Sequence, residues 1–217
     1  MRYRCCNEKY SHIFWDWNGT LVDDAGYAVG VMNAMLSKRN LPLVGGVEEY
    51  SRVFMFPVIE YYEKLGYDFN VESFENLTKE FSQNYLSGCS QLKLHTDAAT
   101  VLKAAHKKGA KQIILSATQQ QSLIVQVRNH NIEKYLDGIL GLPHFKASSK
   151  IETAKEYIRE NKIDKALMIG DTIHDAEVAV AIGADCILFS GGHADIDCLK
   201  TAGCMVINKL SGVLQCI

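Results

Sequence analysis

The chain lacks most of the features that would place it among membrane, secreted, disordered or nucleic-acid-binding proteins. No stretch approaches the roughly 18 apolar residues that a membrane helix needs. The opening segment, MRYRCCNEKY, carries two arginines but no apolar run of the kind a secretory signal requires. There are three prolines in 217 residues, no internal repeat and no low-complexity linker, so nothing marks a disordered tract. Neither sign of charge is in excess. With 23 Lys and Arg against 25 Asp and Glu, the formal net charge is -2, which gives no electrostatic ground for binding nucleic acid or an anionic membrane. The seven cysteines (Cys5, Cys6, Cys89, Cys186, Cys198, Cys204, Cys216) include no C-x-x-C pair, so zinc-ligand spacing is absent. They read as reduced thiols. Together these absences lead us to expect a soluble cytoplasmic protein, monomer or homodimer, with no nucleic-acid or membrane partner.

What is present is a core: 47% of the residues are hydrophobic, enough for one large domain or one domain carrying a smaller one. From about residue 91 the pattern alternates. Short runs apolar on both faces, namely QIILS (112–116), GILGL (138–142), ALMIG (166–170), CILF (186–189) and MVI (205–207), are separated by helical stretches. That is the pattern of parallel strands buried between layers of helices, a doubly wound α/β sheet of Rossmann-like type. Asp97 is placed to cap a helix that ends before Gly109, and Ser149-x-x-Glu152 reads as a capping box. Ile13-Phe14-Trp15 fits as the first strand.

Residues 24–90 break the alternation. AGYAVGVMNAMLSKRN, VEEYSRVFMFPVIEYYEKLG and VESFENLTKEFSQNYLSG all have helical periodicity, with no convincing strand among them. The expectation is an α/β core of residues 1–22 and 91–217, with an all-helical cap of residues 23–90 inserted after the first strand.

In an open parallel sheet, ligands bind beyond the carboxyl ends of the strands. The first strand ends at Asp16 in FWDWNGTL; IILS ends at Ser116, with Thr118 nearby; ALMIG runs into Asp171 of GDTIHD, followed by His174 and Asp175. Lys150 opens the helix before that last strand. A carboxylate that can attack phosphorus, a hydroxyl, a lysine and an acidic pair on one edge suit phosphoryl transfer assisted by a divalent cation. Local stability explains Lys150 poorly, because a cation at a helix N-terminus faces the positive end of the dipole. It explains Asp175 readily, because an acid in the first turn is favourable for the same reason. Trp15 reads as core. Trp17 either walls the mouth of the site or packs, and His174 either serves the site or sits on a solvated loop.

DWNGTL, the serine closing IILS, Lys150 and GDTIHD stand in the order of the four motifs of the haloacid dehalogenase superfamily. Nearly the whole chain resembles the phosphoglycolate phosphatase-like hydrolases of that superfamily with a small helical cap. The resemblance implies a phosphatase acting on a small phosphorylated metabolite. Asp16 would be the nucleophile and Ser116 and Lys150 the phosphate holders. Asp16, Asn18, Asp171 and Asp175 would surround Mg²⁺, Asn18 through its backbone carbonyl. Gly19, Thr20, Ser116, Ala117 and Lys150 would form the substrate-binding surface, with Arg52 and Lys64 as the cap cations that a negatively charged substrate tail would meet. Members of this kind mostly carry a second Asp two residues after the nucleophile, as general acid and base. Here that residue is Asn18, which keeps the carbonyl and loses the acid, a change worth roughly 10²–10⁴ in rate. Cleavage of a carbon–phosphorus bond, phosphoryl transfer to a second substrate, and a phosphate-binding module with little turnover remain open on this fold. A receiver domain does not fit, because receivers have no such insertion.

Overall fold

The computed structural model describes residues 10–142 and 150–217. Ser149, and with it the expected capping box, lies outside the described residues, as do Cys5 and Cys6. In chain order the elements are β1 (His12–Trp15), β2 (Val22–Asp23), α1 (Ala25–Lys38), α2 (Val47–Val53), α3 (Val58–Lys64), α4 (Phe74–Gly88), β3 (Lys93–Leu94) and α5 (Ala98–Lys107). There follow β4 (Lys111–Gln119), α6 (Gln120–Asn129), β5 (Gly138–Leu142), α7 (Lys150–Asn161), β6 (Ala166–Gly170), α8 (Ile173–Ile182), β7 (Asp185–Phe189), α9 (Ile196–Thr201) and β8 (Met205–Ile207).

Six strands form a parallel sheet in the order β5-β4-β1-β6-β7-β8. The apolar runs therefore do become strands, and β1 lies at the centre, with Trp15 level with Ile114 on one side and Ile169 on the other. Side-chain alternation along β1 feeds two separate cores. Ile13 and Trp15 pack with Val101 and Leu102 of α5 and Leu123 and Val127 of α6. Phe14, on the opposite face, packs with Ala154 of α7 and Val178 and Ala179 of α8. Trp17 is fully buried in the first of these cores and donates its indole N–H to Gln126 Oε1 at 2.8 Å, so packing is its role.

The helical residues between β2 and β3 have a core of their own, built from Met32, Met35, Leu36, Tyr50, Tyr61, Tyr62 and Leu77. The chain leaves the sheet and returns to it through β2 and β3, a short antiparallel pair that hydrophobic periodicity did not reveal. The stretch from Val47 to Gly66 is two helices, not one, because Pro57 lacks an N–H and restricts the residue before it. Asp97 precedes α5 as expected, but its carboxylate accepts from the Ser211 N–H at 2.8 Å and caps no helical amide.

Candidate active site

The carboxyl edge of the sheet gathers Asp16, Asp171 and Asp175 around Lys150. Asp16 extends the β1 ladder by one bond, its N–H donating to Ile169 O at 2.8 Å, which fixes where its side chain leaves the sheet. Lys150 Nζ donates to Asp16 Oδ1 and, at 2.6 Å, to Asp175 Oδ1. The other oxygen of Asp175 accepts from the N–H groups of Asp171 and Thr172, each at 3.1 Å, and from the Thr172 hydroxyl at 2.8 Å. Asp175 thus holds the first turn of α8 and orients Lys150. Gly170 is required here, since a Cβ at that position would meet the Asp175 side chain. Asp171 is fully buried; Thr20 Oγ1 donates to one of its oxygens and the His193 N–H to the other, each at 2.7 Å.

Four acids, Asp16, Asp24, Asp171 and Asp175, and two ion-paired cations, Lys150 and His193, are buried at this edge. Burial raises Asp16 to about 8, with Lys150 opposing and Asp175 and Asp171 adding to the rise. Asp171 rises to about 6, again chiefly through burial. Lys150 lies above its ordinary value: burial would lower it, but Asp16 and Asp175 outweigh that. Asp16, Asp171 and Asp175 each offer an oxygen within 4.8 Å of the others, a hard-ligand set with more negative than positive charge. These residues fit a divalent cation such as Mg²⁺.

A second set of contacts surrounds Asn18. Its Nδ2 donates to Asp24 Oδ2 at 2.9 Å and lies 2.7 Å from the Tyr85 hydroxyl; its Oδ1 accepts from Thr118 Oγ1 at 2.9 Å. Ser116 Oγ in turn donates to Thr118 Oγ1 at 3.1 Å, so both hydroxyls belong to one chain of hydrogen bonds leading to Asn18. Ala117 between them is exposed. Asp24 also accepts from the Gly19 N–H at 2.6 Å, the Tyr85 hydroxyl at 2.7 Å and His193 Nε2 at 3.2 Å. Burial opposes its ionisation, yet these donors, His193 foremost, hold it below the usual carboxylate range. His193 is correspondingly raised to about 9, against the effect of its own burial. With both ring nitrogens protonated, Nδ1 donates to the Tyr50 hydroxyl at 2.8 Å. Gly19 packs so close to Asp171 and the His193 ring that a Cβ would strike both, and its φ of 75° is one that other residues rarely adopt.

Asp16, Asn18, Gly19, Thr20, Ser116, Lys150, Asp171 and Asp175 are therefore gathered on one edge by two linked hydrogen-bond networks. Arg52 stands apart: it is on the exposed face of α2 and pairs with Glu48 at 2.5 Å. Lys64 ends α3 with its side chain exposed. His174 pairs with Glu177 at 3.1 Å and stacks on Phe56. Asp24, His193, Tyr50 and Tyr85 were not found from the sequence. The end of β7 lies on the same sheet edge, so reading SGGH there as the other strand ends were read would have reached His193. Asp24 looks like an ordinary helix N-cap, and only the fold turns its carboxylate away from α1.

Residues 13–189 match the haloacid dehalogenase-like hydrolase family. The chain belongs to that family. None of the curated proteins searched matches it. Among solved structures, a predicted phosphatase from Clostridium acetobutylicum shares 18% identity at a TM-score of 0.79, covering 95% of this chain and 97% of that one. A haloacid dehalogenase-like family protein from Streptococcus pneumoniae shares 17% at 0.80, with coverages of 94% and 97%. A predicted phosphoglycolate phosphatase from Haemophilus somnus shares 15% at 0.74, with coverages of 97% and 99%. These likenesses extend the α/β core and the helical insertion to whole-chain similarity of fold. No described helix is long and apolar enough to cross a membrane.

Proposed function

We propose that this hydrolase is a Mg²⁺-dependent phosphatase of small phosphomonoesters that works through an aspartyl-phosphate on Asp16. The observation that carries this reading is a buried carboxylate at the sheet edge, held by Lys150 and facing Asp171 across a hard-oxygen cluster. In the reaction, Asp16 attacks phosphorus, Lys150 steadies the transferring group while holding Asp16 in line, and Ser116 supplies a hydroxyl donor. Asp16, the Asn18 carbonyl and Asp171 would hold the metal, and Asp175 would orient both Lys150 and the Asp171 backbone. A bound divalent cation would neutralise charge between carboxylate and phosphate. Residues 23–90 would act as a cap that opens for substrate and closes to exclude water.

Asn18 has no acidic proton to give, and its amide is already held by Asp24 and Tyr85. The leaving group must then depart largely unassisted, which favours activated esters. The names of the Clostridium and Haemophilus relatives agree with a phosphatase, and 2-phosphoglycolate belongs among the substrates tested.

The test is phosphate release from esters spanning leaving-group acidity, with and without Mg²⁺, using Asp16→Ala as control. Release that needs both Mg²⁺ and Asp16, and that steepens with leaving-group acidity, is the expected result. Release unaffected by Asp16→Ala overturns the mechanism. No release from any ester, with phosphate and Mg²⁺ still bound, favours a binding module instead.

A further inference from the structure

Aromatic side chains meet the core beside the carboxylate cluster. Between α2 and α3, the Phe56 ring stacks on His174 with centroids 4.8 Å apart and planes 23° apart. Phe54 lies against His193 at 5.5 Å and against Tyr61 at 5.3 Å, and Tyr50 completes the group at 5.1 Å from Phe54. His174 is three residues from Asp171, and the His193 N–H donates to Asp171, so these rings cover the first turn of α8 and the loop after β7, which flank that carboxylate. The Asp195 N–H donates to Ser51 O at 3.2 Å, tethering α2 to the loop after β7. Phe56 remains 41% exposed, leaving part of its ring free for a further partner.

The buried cations at this edge are already paired, His193 with Asp24 and Lys150 with Asp16 and Asp175. Arg52 pairs with Glu48, and Arg39 with Glu72 and Glu80. A carboxylate tail next to these rings would be desolvated without a partner, which is costly. A flat apolar ring would instead gain offset or edge-on contacts.

The chemistry at position 18 restricts the leaving group independently. Asn18 has no acidic proton to give, so a departing oxygen that is stable as an anion is favoured. A phenol ionises near pH ~10, as tyrosine does, whereas an aliphatic alcohol, like water, ionises near ~16.

From these two observations we infer that the substrate is the phosphomonoester of a phenol-type hydroxyl, its ring lying against Phe56 at the rim of the cap. The inference rests on the phosphatase reading above. Asp16 attacks phosphorus, and the bond from phosphorus to the aryl oxygen breaks with its electron pair leaving as phenolate. Water then attacks the aspartyl-phosphate, releasing Asp16 and phosphate. The proton that this water gives up balances the one the phenolate takes, so ester and water become phenol and phosphate.

Two esters separate ring recognition from leaving-group acidity: phenyl phosphate and hexafluoroisopropyl phosphate, whose alcohols are of similar acidity. With Mg²⁺ present, phenyl phosphate is expected to be favoured by about tenfold in kcat/KM, the size of one aromatic contact. Phe56→Ala, at a half-exposed position, should raise KM for phenyl phosphate severalfold and leave the fluoroalkyl ester unchanged. Equal kcat/KM for the two esters, or an equal effect of Phe56→Ala on both, overturns the inference. Titrating phenylphosphonate and methylphosphonate into Asp16→Asn by calorimetry decides the matter if neither ester is hydrolysed. About tenfold tighter binding of the aromatic ligand, lost in a variant that also carries Phe56→Ala, supports ring recognition even where the phosphatase reading fails. Equal affinities end it.

Discussion

The site has two halves that are put together differently. Around Lys150, ion pairs do the work: a buried ammonium sits between Asp16 and Asp175, and each partner ends or follows a strand or begins a helix. Around Asn18 one ion pair, His193 of the loop after β7 with Asp24, stands among neutral hydrogen bonds that converge on the same carboxylate from Asn18, Gly19 and Tyr85 of α4, and His193 is itself bonded to Tyr50 of α2. The first half belongs to the core alone. The second ties the helical insertion to the core around Asp24, Asn18 and His193, so the proposed chemistry is concentrated in one and coupling between insertion and core in the other.

The contrast would collapse if Asp16 proved dispensable. Asp16→Asn should cut turnover by roughly 10⁴–10⁶, as expected when the proposed nucleophile is removed, and single-turnover kinetics would read this directly. Next in size, Lys150→Met leaves Asp16 and Asp175 buried without their cation. A loss of about 3–5 kcal/mol is expected from denaturant unfolding, and a loss under about 1 kcal/mol would mean the pairing contributes little.

The second half is probed by Asp24→Asn, with an expected loss of about 2–3 kcal/mol from one charged acceptor serving four donors. Its pH dependence is more telling than its size. His193 is held at about 9, above its ordinary 6.5, so the stability it gains from Asp24 is complete below pH 6.5 and is lost as pH rises through 9. The gap between wild type and Asp24→Asn should therefore close over that interval; a gap constant with pH would show that the pair is not ionic. Asn18→Asp sharpens the point further, since it sets a second carboxylate against Asp24 and removes two donor contacts. We expect it to lose about 1–3 kcal/mol, and the double exchange Asn18→Asp with Asp24→Asn to recover most of that, giving a coupling energy well above zero in a double-mutant cycle. Smallest of all, Arg52→Ala removes an exposed i,i+4 pair and should change stability by less than about 0.5 kcal/mol, with kcat/KM for the esters above within twofold.

Most of the first half was legible in the sequence because its residues lie next to strand ends, and strand ends announce themselves as apolar runs that stop at Asp16 and Asp171; the run ending at Ser116 did not mark a strand end, since β4 continues to Gln119. GILGL, ALMIG and MVI carry the strand boundaries residue for residue. Beyond Asn18, the second half was illegible for a physical reason. Asn18, Asp24, Tyr85 and His193 are spread over 175 positions and carry no periodic signal. Their relation depends on how the insertion packs against the sheet. Tyr85 reads as one apolar position of α4, and nothing local indicates that its hydroxyl ends at a carboxylate. The β2–β3 pair escaped for a similar reason, since two residues per strand are too few to set a period.

The central position of β1 also bears on how the protein comes into being. Trp15 is level with Ile114, 99 positions later, and with Ile169, 154 positions later. While the chain is being made, the strand bearing Asp16 waits as an unpaired apolar segment until most of the polypeptide has emerged. Pairings this distant in sequence slow folding and lengthen the exposure of sticky intermediates. The helical insertion, made of contacts closer in sequence, is free to form during that wait. The order of assembly is thus expected to be insertion first and sheet last, with the carboxylate cluster appearing only when β6 docks.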